Sequence, residues 1–176
     1  WRTSSGSVPT SVGKLNSGQL TLAMDADPRA RLIATGNGDS RVRLWDVSRP
    51  QAPTVVGGPL LTGGIVSSVG FTPDGTLLAS GDALGQIRLW DISDPARTAA
   101  YGLPVTGHNG PIGALRFSPR GGQLITGGDD GTVRLWQTDT ARVHAILCAS
   151  TRTAMTPALW KEYVSPALSY APPCGG

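Results

Sequence analysis

Apolar and polar residues alternate in short runs along this chain, and the clearest runs end on tryptophan. They are Arg41-Val42-Arg43-Leu44-Trp45, Gln86-Ile87-Arg88-Leu89-Trp90 and Thr132-Val133-Arg134-Leu135-Trp136. A period of two predicts a strand, with Val42 and Leu44 on one pleat face and Arg43 and Trp45 on the other. Bulky groups on both faces predict sheets covered on both sides. Ten positions before each tryptophan stands a hydroxyl, Thr35, Ser80 or Thr126, followed at once by Gly36, Gly81 or Gly127. Apolar runs precede the hydroxyls: Leu32-Ile33-Ala34, Leu77-Leu78-Ala79 and Leu124-Ile125. Turn signals come before those, at Asp27-Pro28-Arg29, Thr72-Pro73-Asp74-Gly75 and Ser118-Pro119-Arg120-Gly121, with Phe71 and Phe117 closing the strands ahead of the second and third. Each unit therefore reads as strand, Pro/Gly turn, strand, tight turn, strand, with a weaker strand after the tryptophan.

The tryptophans are 45 and 46 residues apart, and Trp1 lies 44 residues before Trp45, which reads as the last residue of an earlier copy. A fixed period of this length marks a repeat protein. One unit is too small to bury its own apolar face, so neighbouring units must do so together. Such an assembly offers a surface more readily than a reaction centre.

The period, the ending Leu-Trp-Asp at 44–46 and 89–91, and Gly107-His108 upstream of Trp136 resemble the WD-repeat β-propeller family, although the third copy ends on Gln137. The match runs over roughly residues 17–137. It implies an all-β fold: a partial propeller of about three four-stranded blades plus the outer strand of a preceding one, with a short helical C-terminal tail. The expected layout is a partial propeller over 1–139 (blade tail 1–16, blades near 17–60, 61–106 and 107–148) and a strand/helix tail over 140–176 that caps the last blade. The resemblance also implies a hydrogen-bonded structural tetrad in each blade. The third has all four members, His108, Thr126, Asp130 and Trp136. The first keeps Thr35, Asp39 and Trp45 with Ser17 in the histidine place. The second keeps Ser80 and Trp90, with Thr62 for the histidine and Leu84 for the aspartate.

Histidine, hydroxyl and aspartate together invite a catalytic reading. A nucleophile, however, needs exposure beside its base and oxyanion donors nearby. Here the hydroxyl lies in an apolar strand and its counterparts lack the histidine, so a satisfied polar network that rigidifies the blade is the better account. The remaining chemistry is sparse. Two histidines (His108, His144) and two cysteines (Cys148, Cys174) give no metal-ligand spacing. Asp129-Asp130-Gly131 lacks the other ligands of a calcium loop and reads as a tight turn. Gly36-Asn37-Gly38 lacks the third glycine and the following helix of a dinucleotide site. No catalytic, metal or cofactor residues are expected, and the chain is not expected to be an enzyme.

Composition moves this picture little. Fifteen basic and twelve acidic residues give a net charge of +3, dispersed along the chain, which gives no reason to expect nucleic acid. Arg43, Arg88 and Arg134 share a pleat face with their tryptophans, and their alkyl stems can cover the indoles. No apolar run approaches membrane-spanning length, and a cytoplasmic location without membrane contact is expected.

Three blades fall short of the four to eight that close a propeller. The sequence therefore reads as the C-terminal part of a longer chain with further blades and an effector domain upstream; self-association of short chains is the alternative. The tail contributes Val143, Ile146 and Leu147, which fit either a helix or an outer strand over 142–148, and a helix start at Thr156-Pro157. Its Met155-Thr156, Trp160, Tyr163 and Tyr170 to Cys174 resemble the tails of bacterial multidomain WD-repeat signalling proteins that carry an NTPase. Cys148 and Cys174 are expected close together, bridged or not. The function expected is a non-catalytic scaffold or sensor that binds a protein or peptide. Its candidate contact turns are Gly38-Asp39, Ala83-Leu84 and Asp129-Asp130. The alternative is a propeller hydrolase with a central-channel site completed by missing blades. Its inner strands here offer Leu22, Met24, Val66, Val69, Ile112 and Leu115, with Asp25 the one acid nearby.

Overall fold

The computed structural model describes residues 11–139, and these form three antiparallel sheets with a single 3-10 turn at Pro95–Arg97. The first sheet runs in chain order: β1 (Thr21–Ala26), β2 (Leu32–Asn37), β3 (Arg41–Asp46) and β4 (Thr54–Leu61). The second holds β5 (Val66–Phe71), β6 (Leu77–Asp82) and β7 (Gln86–Asp91). Its outer position is shared by β8 (Ala99–Ala100) and β9 (Val105–Thr106), both paired with β7. The third consists of β10 (Ile112–Phe117), β11 (Gln123–Gly128) and β12 (Val133–Gln137). The all-β architecture expected of a partial propeller is present. Trp1, the proposed strand over 142–148, the tail helix and the Cys148/Cys174 pair lie outside the described residues.

The same local chemistry shapes each sheet. In the turn between β1 and β2 the Asp27 carboxylate accepts from the backbone N–H groups of Arg31 and Leu32 at 2.6 and 2.7 Å. Thr72 does the equivalent work before β6, accepting from Leu77 N–H at 3.0 Å, and Ser118 accepts from Gln123 N–H at 3.2 Å before β11. The turn then needs a left-handed residue: Gly75 (φ 70°) and Gly121 (φ 74°) supply it freely, whereas the first sheet has Ala30 (φ 52°). Each first strand carries one register shift at the same place, at Thr21/Ala23, Val66/Ser68 and Ile112/Ala114. Such a bulge increases the local twist.

The sheets pack face on face in sequence order. Ala34, Val42, Leu44 and Leu60 of the first meet Val66, Leu78, Trp90 and Ile92 of the second in one core. Ala79 and Ile87 of the second meet Ile112, Leu115 and Leu124 of the third in another. The glycine after the first and second hydroxyls is a seat for the next sheet. A β-carbon at Gly36 would lie 2.5 Å from Val66 Cγ1, and one at Gly81 would lie 2.9 Å from Ile112 Cβ. Val66 and Ile112 are wholly buried. They are inter-sheet knobs, not channel-lining groups. Innermost strands are also linked directly: Phe71 N–H donates to Asp25 Oδ2 at 2.9 Å, and Ser67 Oγ donates to the Ile112 carbonyl at 2.8 Å.

Candidate functional site: polar cores and the turn end of the sheets

In the third sheet β11 supplies Thr126 and β12 supplies Trp136, while His108 sits in the loop before β10 and Asp130 in the hairpin between β11 and β12. Trp136 Nε1 can only donate, and does so to Thr126 Oγ1 at 2.8 Å. The Thr126 hydroxyl lies 2.7 Å from His108 Nε2 and donates to it in the neutral ring, because the ionised Asp130 carboxylate at the other ring nitrogen can only accept. The proton of a neutral His108 then belongs on Nδ1, which lies 3.1 Å from both Asp130 oxygens. The relay has one direction, from indole to carboxylate. Asp130 further accepts from Asn109 N–H (3.0 Å), Thr132 N–H (3.0 Å) and the Thr132 hydroxyl (2.8 Å). The Asn109 backbone amide, then Thr132, hold the Asp130 carboxyl far below the usual carboxylate range.

The first sheet is wired through different residues. Trp45 Nε1 donates to Thr35 Oγ1 at 2.9 Å, and Thr35 donates to Asn37 Oδ1 at 3.2 Å. Asn37 Nδ2 reaches Thr21 Oγ1 at 3.1 Å, and Thr21 shares a 3.1 Å hydrogen bond with Ser17. Asp39 stands apart from this chain. It pairs with Arg43 at 2.6 Å and with Arg41 at 3.5 Å, and the Arg43 hydrogen bond lowers its pKa. In the second sheet Trp90 donates to Ser80 at 3.0 Å. Thr62 turns to the carbonyls of Ser40 and Gly64, and Leu84 is exposed. The buried Asp82 accepts through Oδ1 from Leu84 and Gln86 N–H groups at 2.9 Å, while its Oδ2 has no partner.

One position explains these differences, and the sequence reading missed it. Eight residues before the tryptophans stand Asn37, Asp82 and Gly128. A β-carbon at Gly128 would lie 2.5 Å from His108 Nδ1, so the imidazole fits only over glycine. Where the histidine is replaced by Ser17 or Thr62, the side chain of Asn37 or Asp82 projects from that position. Superposing the three copies at this offset, and noting glycine only in the copy with histidine, would have found it.

The candidate contact turns lie at one end of the sheets. Gly38 N–H donates to the Leu20 carbonyl, Ala83 N–H to Ile65 and Asp129 N–H to Pro111, each tying the hairpin to the segment that leads into its own first strand. Neighbouring sheets interlock at the same end. Thr62 N–H donates to the Ser40 carbonyl, and Gly85 lies against the carbonyls of His108 and Gly110. Leu84 and Asp129 are exposed there, Asp39 is held by Arg43, and Asp130 is committed to His108.

The inner strands of all three sheets border a cavity of about 370 Å³, with Met24, Ser67, Val69 and Arg116 among its lining. Asp25, next in sequence to the lining residue Met24, is engaged by Phe71 N–H. Among the described residues no cluster of three His, Cys, Asp or Glu side chains could hold a metal, and no helix is long and apolar enough to cross a membrane.

The family model "WD domain, G-beta repeat" matches residues 11–46, 54–91 and 102–137, together more than half of the chain. No curated protein matches. Among solved structures the chain is similar to the crystal structure of the RRP9 WD40 repeats, with a TM-score of 0.59 at 21% identity, covering 70% of this chain and 37% of that one. Likeness at that identity speaks to fold alone, and the chain spans little more than a third of that structure's length. The repeats, their seats and their tryptophan-centred polar cores agree with the family match: this chain belongs to the WD-repeat family.

Proposed function

We propose that the chain is a non-catalytic scaffold that binds a protein or peptide across the end of the sheets bearing the turns at 38–39, 83–84 and 129–130. The observation that carries this reading is the difference between those turns. Asp39 and Asp130 are tied down by Arg43 and His108, whereas the middle turn presents Leu84, 60% exposed, on backbone fixed by Asp82. A bare aliphatic group on a rigid turn, at the same end of the sheets as the exposed Asp129, is the makeup of a contact spot with an apolar centre and polar rim. WD repeats generally mediate protein–protein interactions, which supports the reading. The tail motifs support a finer version, in which the module serves a bacterial, NTPase-coupled signalling protein. The hydrolase alternative has no convergent pair of acid and base among the described residues that line the cavity.

The test is quantitative cross-linking of the immobilised chain to its partner in three forms: unaltered, Leu84→Lys, and Arg120→Glu. Arg120 belongs to the turn at the opposite end of its sheet, between β10 and β11. Leu84→Lys is expected to abolish capture while leaving the melting temperature and the Trp90–Ser80 bond intact, with Arg120→Glu unchanged. Equal capture by all three, or loss in Arg120→Glu alone, would reject the turn end as the binding face.

A further inference from the structure

The chain carries three asparagines, Asn16, Asn37 and Asn109, and the last two each precede a glycine. An asparagine before glycine is open to attack on its own side chain, because no β-carbon shields the N–H that follows. The fold treats the two copies in opposite ways. Asn37 ends β2, is 0% exposed, and has both ends of its amide engaged. Its Oδ1 accepts from Thr35 at 3.2 Å and its Nδ2 donates to Thr21 Oγ1 at 3.1 Å. The nitrogen that would attack it is committed as well, since Gly38 N–H donates to the Leu20 carbonyl at 2.8 Å. Asn16 precedes Ser17 instead, and its Oδ1 accepts from Gly18 N–H at 3.0 Å.

Asn109 lies exposed in the loop ahead of β10. Its backbone N–H is fixed to Asp130 Oδ2 at 3.0 Å, and the Pro111 carbonyl accepts from Asp129 N–H at 2.9 Å. Between those anchors, no partner among the described residues holds the Asn109 side-chain amide or the Gly110 N–H. Gly110 has φ 131°, a conformation that residues with side chains rarely adopt, so this loop requires glycine. The same requirement sets an uncovered backbone nitrogen next to a free carboxamide.

We infer that Asn109 is a site of spontaneous deamidation, with water as the co-reactant, and that its isoaspartyl product loosens the His108–Asp130 core. The Gly110 nitrogen loses its proton to hydroxide and bonds to the side-chain carbonyl carbon of Asn109. The bond from that carbon to the amide nitrogen breaks, and ammonia leaves with a proton taken from water. Water then opens the succinimide ring at either carbonyl, giving aspartate or isoaspartate without change of oxidation state. Isoaspartate routes the main chain through the β-carbon, which lengthens the path between the two anchors and displaces the N–H that Asp130 accepts. Both products place a new carboxylate beside two others: a β-carbon on Gly110 would lie 3.8 Å from Asp129 Cβ, and Asp130 bonds the Asn109 N–H. Neither step depends on a binding partner.

Ageing the folded full chain in mildly alkaline buffer, well below its melting temperature, followed by trypsin and mass spectrometry, is the test. Asn109 falls in the tryptic peptide 98–116 and Asn37 in 32–41, and each is the only side-chain amide of its peptide. The amide-to-acid mass gain is expected in 98–116 at least about ten-fold faster than in 32–41, because Asn37 must wait for its sheet to open locally. In denaturant the two peptides should convert at similar rates. An isoaspartyl methyltransferase should label the aged 98–116 peptide, and the converted chain, separated by its added negative charge, should melt below the fresh chain. Equal rates in the folded chain overturn the assignment, as does a 98–116 peptide that converts in denaturant alone. Aspartate without isoaspartyl label overturns the succinimide route. A converted chain that melts with the fresh one overturns the link to the polar core.

Discussion

Thr126 is the hinge of the third sheet's polar core, because one oxygen serves both an indole and an imidazole. It is 1% exposed, so water cannot replace either bond. Thr126→Val keeps the shape and removes the hydroxyl, leaving Trp136 Nε1 and His108 Nε2 without partners. The expected cost is about 1–3 kcal/mol, read as a lower denaturant midpoint at unchanged slope. Asp130 sets a pH dependence. Its folded pKa lies below the unfolded value of about 3.9. The stabilisation from its ionised form is therefore complete above that value and is lost as pH falls through the acid range towards the folded pKa. Asp39 and Asp74 are lowered too, through Arg43 and the Thr72 hydroxyl respectively, and act in the same sense. Thermal melts from pH 6 down to pH 2 should show a shallower acid decline for Asp130→Asn than for the unaltered chain. An identical decline would remove Asp130 from the set of stabilising carboxylates.

At the scale of the elements, repetition within one chain acts as an internal control. The turn before the second strand of each sheet is the same four-residue device, and only the first copy fills its left-handed position with a residue other than glycine. Ala30 at φ 52° carries a steric cost that Gly75 and Gly121 escape. Ala30→Gly is expected to raise stability by roughly 1 kcal/mol after the extra flexibility of the unfolded chain is deducted, measurable as a higher denaturant midpoint. Strand order, turns and the tryptophan–hydroxyl pairs were legible because each depends on neighbours close in sequence or on a fixed offset. The role of Asn37 and Asp82 was not, since it arises from the space an absent imidazole leaves, and that space exists only once loop, β2 or β6, and the tryptophan strand are stacked. Asp39 shows the same limit: it aligns with Asp130, yet without a histidine to meet, its carboxylate turns to Arg43.

For the whole molecule, the decisive features are the two joints between the three described sheets. The period and the alternation of apolar residues in the sequence determined that this chain builds WD-type sheets, how many of them the described residues hold, and that each needs a neighbour on either side. Those properties are written in local spacing, which hydrophobic burial turns into structure without knowledge of distant residues. Only the tertiary structure decided which glycine receives which knob. It also decided which polar side chain projects where a histidine is missing. These are matters of complementary volume between segments about 30 residues apart, set when the sheets meet face to face.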